Sequence, residues 1–222
     1  MTDARPAAAQ RATPTDLTDH NASALRTLEA EINGLNALAA ALQTSLRATF
    51  DAAVEAMLAA QGRIVVTGMG KSGHIARKVS ATLASTGTPA FFLHPAEASH
   101  GDLGMIGPGD VVLAFSWSGE TPELRDVIHY CKRFDVKLIA VASGAKSALV
   151  KAATLAFVLP AAEEACPNRL APTTSTTMQL ALGDAIAMAL LEARGVRRHR
   201  SARRSAAPRR PPPRRRRTRR WR

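Results

Sequence analysis

Residues 64–85 read IVVTGMGKSGHIARKVSATLAS, and this stretch decides the fold. Ile64–Thr67 is a short apolar, β-branched run, glycines follow at 68, 70 and 73, and Ser72–Ala84 reads as a helix. A strand, a tight glycine turn and a helix in immediate succession open a strand–helix–strand unit. The texture then repeats. Further apolar runs lie at Ala90–Leu93, Val111–Phe115, Leu138–Ala142 and Leu155–Leu159, with helix-like stretches at Glu123–Arg133, Ser147–Ala153 and Thr174–Ala193. Strands apolar on both faces, alternating with helices, predict an α/β fold: a doubly wound parallel sheet of about five strands, flanked by helices and joined by right-handed connections.

Upstream of the sheet, Leu25, Leu28, Ile32, Leu35, Leu42 and Leu46 recur at three-, four- and seven-residue steps, and Phe50, Val54 and Met57 extend the stripe. This predicts an amphipathic helical region, broken near Gly34 and closed by Gly62. Residues 1–21 lack periodicity and read as a flexible lead-in, so the folded domain is expected over 22–195. Residues 196–222 are an Arg/Pro-rich tail, read as disordered.

The tail also explains the charge. Its 14 arginines exceed the formal +12 of the whole 222-residue chain, which leaves residues 1–195 at −2. The body therefore carries no nucleic-acid footprint, whereas the tail could hold polyanions nonspecifically. Two cysteines, Cys131 and Cys166, form no CxxC pair, and the N-terminus has no apolar signal core. No disulfide framework or metal site is expected, and no run approaches the roughly 18 residues of a membrane span. The expectation is a cytoplasmic protein without a membrane anchor.

In such sheets ligands sit beyond the carboxyl ends of the strands, beside helix N-termini. The loops there are polar. The first, Gly68–Gly73, formally matches GxGxxG, but His94-Pro95 stands where a ribose-binding acid belongs, and Lys71 suits a terminal phosphate. A P-loop fails because Val65 occupies its first glycine position. What remains is an anion-binding glycine turn. The second, Ser116-Trp-Ser-Gly-Glu-Thr121, offers three hydroxyls and a glycine at a helix start, more than one cap requires. A third run, Thr173–Thr177, places five hydroxyl residues before the last helix. Around them stand Lys71, Glu97, His100, Asp102, Glu120, Glu123, Glu163 and Glu164, groups able to act as base, acid and charge stabiliser in moving a proton between adjacent carbons of a sugar.

GMGKSGHIARKVSATLASTGTPAFFLHPAEASHGDLGMI (68–106), SWSGET (116–121), EEACPNRLAPTTSTT (163–177) and LGDAIAMALLEARG (182–195) together closely resemble the sugar isomerase (SIS) domain of bacterial arabinose-5-phosphate isomerases. The resemblance spans roughly 40–195. It implies reversible conversion of D-ribulose 5-phosphate and D-arabinose 5-phosphate, a step toward Kdo and lipopolysaccharide, through an enediol without nucleotide cofactor. It also implies a homotetramer with sites at subunit interfaces. By motif, Lys71, His100, Glu123 and Glu164 match the catalytic groups, and Gly70, Ser72, Ser116, Ser118 and Thr121 the phosphate cradle. Which glutamate is the base stays open. A noncatalytic sugar-phosphate sensor is the alternative.

After Gly195 the chain departs from the family. Members continue into SHPGGALGR, whose histidine is implicated in catalysis, whereas Ser205 stands near that place here and His199 lacks matching surroundings. The paired CBS domains of longer members are missing. The abrupt change at Gly195–Val196 reads as a frameshifted or truncated gene product, with impaired activity expected.

Overall fold

The computed structural model describes residues 19–168 and 170–195. The tail 196–222 and most of the predicted lead-in lie outside the described residues, and so do the expectations that fall on them. Two helices, α1 (His20–Gln43) and α2 (Arg47–Leu58), precede β1 (Ile64–Gly68). Then come α3 (Gly70–Ser85), β2 (Ala90–Leu93), α4 (Pro95–Ala98), β3 (Val111–Phe115), α5 (Arg125–Arg133), β4 (Lys137–Ala142), α6 (Ala148–Ala152), β5 (Leu155–Val158) and α7 (Thr174–Ala193). Short 3-10 turns occupy Asp102–Met105 and Pro122–Leu124.

The five strands form one parallel sheet in the order β2-β1-β3-β4-β5, as the doubly wound reading requires. β1 and β3 are buried throughout because both faces are covered. Val66, Leu113, Ile139 and Phe157 face a core built with α1, α2, α3 and α7, while Val65, Val112, Leu138 and Ala140 face a second core built with α4, α5 and α6. The chain runs from β1 outward to β2 and then back across to β3. That reversal makes the crevice at the carboxyl ends of β1 and β3 the switch point where ligands dock.

The N-terminal helices correct the sequence reading. α1 starts at His20, inside the predicted lead-in, because Asp19 caps it: Ala22 donates its amide to Asp19 Oδ1 at 2.9 Å. The helix does not break at Gly34, which is buried in mid-helix. A methyl group there would collide with Thr174 Cγ2 and come within 3.1 Å of Met178 Sδ, so the glycine lets α1 lie against α7. The break falls at Thr44–Leu46, where Thr44 donates its hydroxyl back to Ala40 O and buried Leu46 starts the next helix. Leu25, Leu28 and Ile32 are each more than half exposed, because α1 packs on the core through its second half, at Gly34, Leu38, Ala41 and Leu42.

The predicted helix at Glu123–Arg133 divides into the 3-10 turn Pro122–Leu124 and α5, since Pro122 fixes a tight first turn. α4 and the turn Asp102–Met105 are too short for any periodicity to reveal. Among the described residues, no helix is long and apolar enough to cross a membrane.

Candidate active site

The glycine turn after β1 is built on close approach. A methyl at Gly68 would meet Phe115 O at 2.9 Å, and one at Gly73 would meet Gly68 O at 2.6 Å. These two glycines hold the start of α3 against the strand ends of β1 and β3. Gly70 serves the turn differently, since its φ of +57° swings the chain into α3 and the space beside it is open. Lys71 is exposed in the first turn of α3 and Ser72 half-buried beside it. The helix N-terminus and the lysine give this turn a local positive character that suits an anion.

The neighbouring loop after β3 is self-bracing. Ser116 is 2 % exposed; its hydroxyl lies 2.7 Å from Thr121 Oγ1 and accepts the Gly119 amide at 3.0 Å. Ser116 and Thr121 therefore shape the loop from within, while Ser118 is exposed at its tip and accepts the Glu120 amide at 3.2 Å. Glu120 turns away to cap α6, accepting the Ala148 amide at 3.0 Å. Gly119 has φ +70°, and a methyl there would strike Ser147. Because Gly68 pairs with Phe115, the two loops leave adjacent strand ends and flank one crevice.

Glu164 arrives from the far side. It follows β5, the edge strand, yet it is seated at the N-terminus of α7, which crosses back to pack on α3. Lys78 pairs with Asp184, a methyl at Gly183 would meet Val79, and Arg194 donates to Gly87 O and to the Thr88 hydroxyl. These contacts run α3 and α7 side by side in one direction, so their first turns meet at the carboxyl edge of the sheet. There Glu164 Oε2 accepts the Thr173 amide at 2.7 Å, the Thr173 hydroxyl at 3.0 Å and the Ser175 amide at 3.4 Å. Burial works to raise this carboxyl. The nearby Ser175 side chain, the Thr173 amide and hydroxyl, and the Ser175 amide outweigh it and hold the group below its ordinary value. Among the described residues, these bonds all converge on Oε2 and none is made to Oε1.

His100 and Glu123 come from the opposite layer. α4 packs against the 3-10 turn that carries Glu123, and Ala98 and Leu124 share the second core. His100 is exposed just beyond α4 and Glu123 half-buried. Among the described residues, no hydrogen bond or ion pair joins Lys71, His100, Glu123 and Glu164 to one another; only their loops are gathered at the carboxyl edge of the sheet.

Two clefts open beside these loops. One of about 200 Å³ lies against the glycine turn and includes Gly70, His74, Arg77, Phe92 and His94. Arg77 stacks 4.0 Å above the Phe92 ring, an arrangement that no spacing in the sequence announced. The other, of about 350 Å³, separates α1 from the loop ahead of Glu164 and includes Arg26, Asn33 and Glu163. The residue that sequence reasoning undervalued is Thr173. It was legible only as one of five hydroxyls, and it is the one that grips Glu164 through both amide and side chain.

Known proteins share both the sequence pattern and the fold of this chain. The SIS domain profile matches residues 57–189. The chain is 52 % identical over 173 residues to the arabinose 5-phosphate isomerase KdsD of Pseudomonas aeruginosa, covering 78 % of this chain and 52 % of that protein. It is 52 % identical over 156 residues to the KdsD of Escherichia coli K12, covering 70 % of this chain and 48 % of that protein. The chain thus spans about half the length of these curated relatives. Among solved structures, c3406 of E. coli CFT073 in complex with arabinose 5-phosphate superposes with a TM-score of 0.74 at 38 % identity, covering 84 % of this chain and 95 % of that one.

Proposed function

The chain belongs to the SIS-domain family, and on that footing we propose that it is an arabinose-5-phosphate isomerase, converting D-ribulose 5-phosphate into D-arabinose 5-phosphate and back. The observation that carries this reading is the seat of Glu164: a carboxylate, fixed through one oxygen at a helix start, beside the turn that bears Lys71. Named isomerases at 52 % identity favour catalysis over the sensor reading.

The reaction moves one hydrogen between neighbouring carbons. A base takes a proton from C1 of the ketose while the C2 oxygen gains one, giving an enediol; a proton then returns to C2 as the C1 hydroxyl releases its own, giving the aldose. In this proposal Glu164 Oε1 takes and returns the carbon-bound proton, its lowered pKa keeping it ionised at neutral pH. Glu123 and His100 serve the two sugar oxygens. Lys71, the open backbone at Gly70, Ser72 and Ser118 receive the phosphate, in a loop held to shape by Ser116 and Thr121. No cofactor is required by this chemistry.

A second copy of the chain completes the proposal. Leu25, Leu28 and Ile32 form an exposed apolar stripe on α1, close to the cleft beside Glu163, and a homo-oligomer would cover it.

The direct test is isomerisation of ribulose 5-phosphate by the chain, beside a version in which the family's SHPGGALGR segment follows residue 195. Turnover by the second alone would identify the altered C-terminus as the defect. Turnover by neither would refute the isomerase reading.

A further inference from the structure

α7 buries more polar chemistry than its own contacts use. Gln179 is fully buried, and among the described residues neither its amide nitrogen nor its amide oxygen has a hydrogen-bond partner; Ser175 is 1 % exposed, and its hydroxyl is likewise unpartnered there. The two residues stand one turn apart on the same stripe of the helix, which continues to Gly183. At Gly183 the stripe is pressed against Val79 of α3, so the stripe faces α3. Side chains on a helix lean toward its N-terminus, which directs the Gln179 carboxamide toward Ser175.

The register between the two helices places this pair. Lys78 meets Asp184, and Arg194 meets Gly87 and Thr88, at separations of 106 and 107 residues. At that offset Ser175 and Gln179 lie beside the first turn of α3, the turn that carries Lys71. A carboxamide and a hydroxyl can each donate and accept, and burying them unpartnered is costly. Two to four converging polar groups in an enclosed seam are what an internal water requires.

We propose that Gln179 is a positioning residue: with Ser175 it holds a buried water in the seam between the first turns of α3 and α7, and so fixes the Glu164 carboxylate against the Lys71 loop. The link to Glu164 is short. The Ser175 amide already reaches Glu164 Oε2, and its hydroxyl lies near the carboxylate without completing a hydrogen bond. A water bonded to both Gln179 and the Ser175 hydroxyl would orient that hydroxyl toward the carboxylate. Only the catalytic consequence rests on the isomerase reading; the water and its effect on Glu164 do not.

Two measurements on the full chain test this. A crystal structure at a resolution that shows ordered solvent is expected to place one water within hydrogen-bond distance of both Gln179 and Ser175. A dry seam, or a Gln179 amide bonded only to protein groups, overturns the proposal. Independently, Gln179→Met keeps the volume and removes the polar atoms. The Glu164 carboxyl signal in a carbon-13 titration, identified by its loss in Glu164→Gln, should then titrate about half a unit to one unit higher. An unchanged titration refutes the positioning role. If the chain turns over ribulose 5-phosphate, kcat should fall roughly tenfold or more with KM nearly unchanged, since the carboxylate stays ionised but is displaced from the reacting carbon. If it shows no turnover, the titration still decides this proposal, and the version carrying SHPGGALGR decides the isomerase reading separately.

Discussion

Thr173 donates its backbone amide to Glu164 Oε2 across 2.7 Å and its hydroxyl to the same atom across 3.0 Å. A carboxylate nine residues earlier in the chain thereby stands at the start of α7, where the partial positive charge of the helix end favours it. Among the described residues, the arrangement fixes one carboxylate oxygen and makes no bond to the other.

Replacing Glu164 by Gln should lower kcat for ribulose 5-phosphate isomerisation about 10²- to 10⁴-fold, the usual weight of a positioned general base. An equal loss in Glu123→Gln with little change in Glu164→Gln would move the base to the other loop.

The same carboxylate makes stability depend on pH. Its folded pKa lies below the unfolded value near 4.5, so ionised Glu164 stabilises the fold above that pH, and the contribution fades as pH falls through the folded pKa. The difference in melting temperature between the unmodified chain and Glu164→Gln should therefore be present at pH 7 and shrink below about pH 4. A difference that grows on acidification would contradict the capping geometry.

Gly34 separates two readings of α1. As a helix breaker, its replacement by Ala would stabilise the helix by about 1 kcal/mol. Buried against Thr174 and Met178, the added methyl should instead cost about 1–3 kcal/mol through overpacking. Thermal denaturation of Gly34→Ala gives the sign directly.

Lys71 is exposed and carries no structural partner in the hydrogen-bond or ion-pair network of the described residues, so Lys71→Met should leave the melting temperature almost unchanged, within about 0.5 kcal/mol of stability. It should nevertheless abolish or strongly weaken ribulose 5-phosphate binding in calorimetry. Retained affinity would remove the lysine from the phosphate site.

The apolar stripe of α1 predicts assembly. Light scattering should give a mass above the 23.5 kDa of one chain, and Leu28→Lys together with Ile32→Lys should reduce it to the monomer. A monomeric unmodified chain would leave the stripe without its proposed partner.

The sequence alone determined the layers. Strands apolar on both faces can be satisfied only by helices above and below, so alternation of the two patterns led to a doubly wound sheet, and the glycines at 68, 70 and 73 marked the turn at its switch point. Local chemistry also announced the Ser116–Thr121 loop. Tertiary structure decided what the patterns could not carry. Gly34 reads as a break in a one-dimensional periodicity, but it is a contact surface once α7 lies across it. Glu164 follows the edge strand, remote from Lys71 by every count along the chain; it reaches the same edge of the sheet because α7 returns over the central strands and locks onto α3 through Gly183 and Asp184. Periodicity records which face of an element is buried, whereas the partner on that face is fixed only when separate elements pack, and the site is assembled from those partners.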